Sequence, residues 1–280
     1  MKILYIGVYH DDTGVGNAAI ENILAMDKVG LDISCRPLKL NDAIPNLDNR
    51  ILELEQKSIS NPDVIIQHVL PNHMVCENRS YNIGYVAVET WGWSGLWVDK
   101  LNQMDAVWVP SEICKRQCKE SGVLVPIHVV PHPINTNKFM QNYEKLDIPN
   151  LDGKYIFYTI GEYNTRKNID DIIRAFYMEF NENDQVGLFI KTHIPGTNAT
   201  DSGEFLKNRC SEILNTLNLT HSIDDSEIVI NTERWSNKNI YSLHQLGNCF
   251  ITASRGEGWC LPASDALGFG KPLICTQSTS

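Results

Sequence analysis

Short apolar runs rich in β-branched residues alternate along this chain with longer stretches whose apolar positions recur every three or four residues. The first pattern predicts buried strands and the second amphipathic helices. Lys2–Val8 reads as a strand, followed by a glycine loop, His10-Asp-Asp-Thr-Gly14-Val-Gly16, and a helix with Ala18, Ile23, Leu24 and Met26 in its apolar positions. Leu31–Pro37 reads as a second strand and Ile51–Ile59 as a helix. Asn61-Pro62-Asp63 breaks the chain before the strand Val64-Ile-Ile-Gln-His68-Val. Further strands are predicted at Tyr81–Val88, Ala106–Val109 and Ile127–Val130. Pro110 stops the second of these, and Ser111 is a good N-cap for a helix over Glu112–Ser121.

Residues Asn135–Asp152 are polar and read as a linker region, after which the alternation restarts. Strands are predicted at Tyr155–Ile160, Val186–Lys191, Glu227–Ile230, Cys249–Ala253 and Leu273–Cys275. Helices are predicted at Asn168–Phe180, Glu204–Leu217 and Lys238–Leu246, with one more opened by Pro262. Strands alternating with helices indicate an α/β fold with mostly parallel sheets. The expected architecture is two doubly wound, Rossmann-like domains, residues 1–135 and 154–280, joined by a linker at 136–153. In such sheets ligands bind outside the carboxyl ends of the strands, so the site is expected in a cleft where the two domains face each other.

Composition narrows the function classes. The 280 residues suffice for two domains, and 42% hydrophobic content suffices for real cores. No apolar run reaches the roughly 18 residues a membrane-spanning helix needs, and Met1-Lys-Ile-Leu-Tyr enters a strand directly rather than a signal peptide. A cytoplasmic location is therefore expected. A net charge of -10 argues against general nucleic-acid binding and leaves only local peripheral contact with a membrane open. Eight scattered cysteines without a CxxC read as reduced thiols, and Cys114 with Cys118 as a core or surface pair rather than metal ligands.

The candidate chemistry concentrates near the end of the chain. Ser254-Arg-Gly-Glu257-Gly258-Trp259-Cys260-Leu-Pro-Ala-Ser-Asp265 follows a predicted buried strand and runs through a glycine turn into a helix. Backbone N–H groups converge at such a place and suit a diphosphate. Glu257 in the turn and Asp265 in the helix are placed to accept hydrogen bonds from sugar or ribose hydroxyls. An acidic chain holds a phosphate ligand only through a few placed cations, which singles out Arg166 and Lys167. Gly14 and Gly16 would let the first loop approach a ligand. Glu89, Trp91, Trp93 and Trp97 form an aromatic segment fit either to stack on a sugar or to pack between domains.

Several fragments fall in one order: Gly14-Val-Gly16-Asn17, Gly84-Tyr-Val-Ala-Val-Glu89-Thr90, Asp105-Ala-Val-Trp-Val-Pro110-Ser111, Val129-Val-Pro-His132-Pro-Ile-Asn135, Gly161-Glu-Tyr-Asn-Thr-Arg166-Lys167-Asn168 and the Glu257-to-Asp265 element. In this series the chain resembles the retaining glycosyltransferases of family 4, which have the GT-B fold. The resemblance implies transfer of a hexose from a nucleotide-diphosphate sugar to an acceptor hydroxyl of a glycan, lipid or small molecule. It implies that Glu257 meets the donor sugar, that Asp265 holds the ribose, and that Arg166 and Lys167 hold the diphosphate. The backbone at Gly258, Trp259 and Cys260 would approach the donor, and Gly14 and Gly16 would let the first loop approach the donor phosphates or the acceptor. A histidine of the first domain is implied beside the donor sugar, His68 being the first choice and His132 the second. Glu89, Trp91 and Trp93 are expected on the acceptor side.

The sequence departs from the family pattern in three places. Asp265 stands where relatives have glutamate, Gly161 is followed by Glu162 rather than arginine, and Arg166 adjoins Lys167. Relatives continue for about 80 residues beyond this point, so the second domain is expected to be incomplete and self-association is left open. No cofactor and no required metal is expected, because no DxD motif accompanies the donor elements. The alternative reading is a non-catalytic nucleotide-sugar-binding protein of the same fold. A nicotinamide-dependent dehydrogenase would need a complete GxGxxG, and position 19 is Ala19.

Overall fold

The computed structural model describes residues 1–11, 13–39, 47–217, 219 and 227–277. Asp12 of the first glycine loop lies outside them. The described residues form two compact units. One comprises Met1–Asn135 together with Glu257–Trp259, and the other Thr136–Gly256 together with the chain from Cys260 onward.

The first unit is a parallel sheet of β1 (Lys2–Gly7), β2 (Asp32–Pro37), β3 (Val64–His68), β4 (Tyr81–Tyr85), β5 (Ala106–Val109) and β6 (Ile127–Val129), in the order β2-β1-β3-β4-β5-β6. Its helices are α1 (Gly14–Lys28), α2 (Asn49–Gln56), α3 (Gly95–Leu101) and α4 (Glu112–Ser121). Two apolar clusters serve the sheet. One gathers Ile3, Tyr5, Ile23, Ile33, Ile66 and Tyr85, the other Val86, Leu101, Val107, Val109, Cys114 and Cys118. The two cysteines are thus buried thiols of the core.

The second unit has β7 (Tyr155–Ile160), β8 (Val186–Lys191), β9 (Ile228–Asn231), β10 (Cys249–Thr252) and β11 (Leu273–Cys275), all parallel in the order β11-β10-β7-β8-β9. Its helices are α5 (Ile169–Glu179), α6 (Ala199–Leu217), α7 (Asn237–Leu246) and α8 (Leu261–Gly268). In each sheet the chain first steps outward on one side and then returns to the other. The strand order therefore reverses between β1 and β3 in the first unit and between β7 and β10 in the second. Crevices at the carboxyl ends of such strands are where ligands of doubly wound sheets sit.

Local chemistry accounts for most element ends. Thr13 caps α1, accepting from the Gly16 amide at 3.2 Å, so the helix opens within the expected glycine loop. Gly16 is required there, since a Cβ would lie 2.0 Å from the Asp11 carbonyl oxygen. Ser94 caps α3, a helix the sequence reading did not separate from its aromatic segment. Asn198 accepts from the Asp201 amide at 2.8 Å, so α6 begins at Ala199 rather than Glu204. β4 ends at Tyr85, three residues before the predicted end, although Val86 and Val88 still enter the core. Among the described residues no helix is long and apolar enough to cross a membrane.

The stretch 136–153, read above as a linker, has structure of its own. It contains the short turns Thr136–Met140 and Pro149–Leu151. Leu151 is 1% exposed in the core of the second unit, with Leu146 and Ile148 packed against the same cluster. Leu151→Ala is expected to destabilise the protein by about 3 kcal/mol, as large-to-small core substitutions do. Leu124→Ala, at a side chain 87% exposed, should change stability by less than about 0.5 kcal/mol. Urea unfolding monitored by circular dichroism compares them, and equal midpoints would show that Leu151 does not belong to that core.

Candidate functional site

In the second unit the reversal point brings together two stretches, 161–168 after β7 and 253–256 after β10. Backbone and side chain tie them. The Arg255 amide donates to the Arg166 carbonyl at 2.8 Å, and Asn168 Nδ2 donates to the Ala253 carbonyl at 3.2 Å. The buried Ser254 hydroxyl lies 3.2 Å from the Arg166 carbonyl and 3.0 Å from that of Gly256. Arg166 Nη1 donates to the Gly256 carbonyl at 2.8 Å. The predicted cation therefore holds the peptide that leads into Glu257.

Lys167 follows on the same loop. Its amide donates to Asn164 Oδ1 at 2.9 Å, and its methylene stem passes over Gly161, where a Cβ would sit 3.4 Å from Lys167 Cδ. Asn168 (φ 55°) and Cys260 (φ 60°) both adopt the left-handed region, one before α5 and the other before α8. Asparagine tolerates this conformation, whereas cysteine holds it against a steric cost. Such strain gathers at ligand-binding turns.

Asp265 lies on α8 beyond Pro262, one turn in, as the sequence predicts. Its carboxylate is already engaged, because Lys138 Nζ lies 2.6 Å from Oδ1, and both side chains are largely buried. Burial raises the Asp265 carboxyl above its ordinary range, and Lys138 opposes that rise. Lys138 is a partner of Asp265 that sequence reasoning missed. It stands in the polar stretch read as a linker, and no local pattern connects it with a helix more than a hundred residues later.

In the first unit the carboxyl ends of β1 and β3 carry a buried ring network. Gly7 and His68 are register partners. Tyr5 Oη lies 2.7 Å from His68 Nδ1, and the His68 ring stacks on Tyr85 at 4.4 Å between centroids. His132 lies 5.4 Å from His68, and Tyr85 Oη is 2.8 Å from its Nδ1. The structure thus brings the first and second choices for the histidine into one cluster. Burial, with His132 adding to it, pushes His68 down to about 3, and burial pushes His132 down to about 4. Both are neutral at pH 7. His68 can hold a hydrogen bond there but is a poor proton acceptor, and its buried Nε2 has no partner.

The remaining residues divide. Gly14 is the exposed first residue of α1. Glu257 is buried, and Gly258 sits where a Cβ would come within 3.0 Å of the Ala87 backbone. Trp259 is half-buried, with its ring edge-on to His132 at 5.7 Å. The expectation of Trp93 on an acceptor wall is corrected. Trp93 is 8% exposed, packs in the first unit's core and donates through Nε1 to the Thr90 carbonyl at 2.9 Å. Burying that indole inside its own unit leaves no face for a sugar. Trp91 is exposed, with the Arg116 guanidinium 5.1 Å over its ring, and Glu89 is half-buried.

No family model matches the sequence, and no curated protein matches it. Solved structures do match in fold. Trehalose-6-phosphate synthase OtsA gives a TM-score of 0.69 at 10% identity, over 100% of this chain and 85% of its own. The E. coli structure bound with UDP-2-fluoro glucose gives the same values. Anabaena HepE, in complex with UDP and glucose, gives 0.65 at 11% identity over 100% of this chain and 81% of its own. These neighbours are GT-B glycosyltransferases, and the chain has the GT-B fold.

The paired histidines make stability depend on pH. Their folded pKa values lie below the ordinary 6.5, so the stabilisation is complete above about pH 6.5 and is lost as pH falls through about 4 for His132 and about 3 for His68. Between pH 6.5 and 5 each histidine accounts for about 1.6 kcal/mol. Thermal melts at both values should show this loss, and His132→Asn should reduce the slope. An unchanged slope in the variant would assign the acid sensitivity to other groups.

Proposed function

We propose that this protein is a glycosyltransferase that moves a hexose from a nucleotide-diphosphate sugar, a UDP-sugar first, to an acceptor hydroxyl with retention of configuration. The observation that carries this reading is the hydrogen bond from Arg166 to the Gly256 carbonyl, which joins the cationic loop and the glycine turn at the strand-order reversal. HepE with UDP and glucose, and the E. coli structure with UDP-2-fluoro glucose, have the same fold and supply the donor class.

In this reading Arg166 and Lys167 face the diphosphate. As the bond from the anomeric carbon to the phosphate oxygen breaks, negative charge grows on the departing nucleotide, and fixed cations stabilise it without reorganising. Backbone N–H groups of the turn before α8 add to the same field. Glu257 accepts hydrogen bonds from the sugar hydroxyls, and Asp265 from the ribose. The acceptor oxygen attacks on the face the nucleotide leaves, and the departing phosphate takes its proton. The two-carboxylate arrangement of retaining hydrolases is not needed for this step. The protein's contribution is orientation and electrostatics. His68, neutral, donates or accepts a hydrogen bond at the sugar and carries no net charge to it. Trp91 and Glu89 are retained as acceptor contacts, and Trp93 is not.

Product formation from UDP-, GDP- and ADP-hexoses with a panel of acceptors, with EDTA in a parallel arm, tests the proposal. One UDP-hexose should be turned over or hydrolysed in both arms. Lys167→Ala and Glu257→Gln should each lower kcat/KM by 100-fold or more, about 3 kcal/mol, while melting like the parent. Donor binding without any turnover would favour a binding protein of the same fold. Loss of all turnover in EDTA, restored by magnesium, would refute catalysis without a metal.

A further inference from the structure

Lys138 lies far from Asp265 in sequence, yet the fold fixes the two together. The residue after it, Phe139, presses on α8 where that helix has Gly268, and a Cβ at this glycine would fall 2.1 Å from Phe139 Cζ. Phe139 also meets Phe269 edge-on at 5.0 Å. The Lys138 carbonyl accepts from Tyr143 Oη at 2.9 Å. Its ammonium lies 5.3 Å from the Phe139 ring centroid and 5.4 Å from that of Tyr241. The side chains of Lys138 and Asp265 are only 12% and 14% exposed, and the 2.6 Å ion pair uses Oδ1 of the carboxylate.

A buried ion pair of this kind adds little net stability over an apolar pair of the same volume. What it does supply is a carboxylate with one oxygen fixed, beside a cation that opposes the rise burial imposes on it. A carboxylate that stays charged is a pure acceptor and makes stronger hydrogen bonds to hydroxyls than its protonated form.

We propose that Lys138 is a positioning residue for nucleotide binding: it holds Asp265 charged and oriented through Oδ1, so that the remaining oxygen receives the ribose hydroxyls and selects ribonucleotides over deoxyribonucleotides. This rests on the nucleotide-sugar reading above. The groups facing the pair are the Tyr143 and Tyr158 phenols and the His244 imidazole, with Lys271 near His244. Burial, with the Asp265 charge adding, raises both phenols above their ordinary value. Burial, with Lys138 and Lys271 adding, lowers His244 to about 3.

The test is calorimetric titration of the full chain with UDP and with 2′-deoxy-UDP at pH 6, 7 and 8. The parent should bind UDP about tenfold more tightly than 2′-deoxy-UDP at every pH. Lys138→Met should weaken that preference, most at the lowest pH, because a buried carboxyl without its cation binds a proton more tightly. Lys138→Arg should behave as the parent. The titration of the ligand's own phosphate is common to all three proteins and cancels. If Lys138→Met does not fold, Lys138→Gln, which keeps a donor without the charge, reads the same pH arm. A variant that keeps the full preference at pH 6 would overturn the role of Lys138 while leaving the nucleotide site standing. A parent that does not bind UDP would instead overturn the nucleotide-sugar reading, and this inference with it.

Discussion

The account depends on the lacing of two loops at the reversal point of the second sheet. The carbonyl of Arg166 accepts from the Arg255 amide, while its guanidinium donates to the Gly256 carbonyl. One residue thus supplies both the backbone tie and the charge. Each loop also contains a residue in the left-handed region, Asn168 in one and Cys260 in the other. Cross-linked at the ends of adjacent parallel strands, they form a fixed polar edge where a doubly wound sheet offers a ligand its crevice.

The same logic explains the composition of the surroundings. A chain with ten excess negative charges cannot attract a diphosphate by its overall field. It needs cations held by their own hydrogen bonds. Arg166 meets this condition through Gly256, while the stem of Lys167 is placed by packing over Gly161. In the first unit the polar groups are of another kind. His68 and His132 are stacked, neutral and bonded to phenols, a network suited to uncharged hydroxyls rather than to phosphate.

Much of this was legible in the sequence, for identifiable reasons. Strands such as Val64–His68 and Val186–Lys191 are compact β-branched or apolar runs with breakers before them, and helices such as Glu112–Ser121 carry their own cap. The strand, glycine turn and helix around Glu257 are local, so the sequence displays them. What it could not display is pairing across long separations. Lys138 reads as a solvated lysine until the packing of Phe139 on Gly268 brings it to Asp265. Trp91 and Trp93 are indistinguishable as letters, yet one is exposed and the other fills a core. The reading of 136–153 as a linker had the same cause, because its polar composition hid Leu151, which is buried in the core with Leu146 and Ile148 packed against the same cluster.

The central claim is that these laced loops hold a nucleotide diphosphate. A crystal structure of the protein with UDP addresses it most directly. The account predicts density for the diphosphate within hydrogen-bond reach of the Arg166 and Lys167 side chains and of the amides leading into α8. UDP bound elsewhere, with both cations untouched and the turn at Gly256 undisturbed, would contradict it.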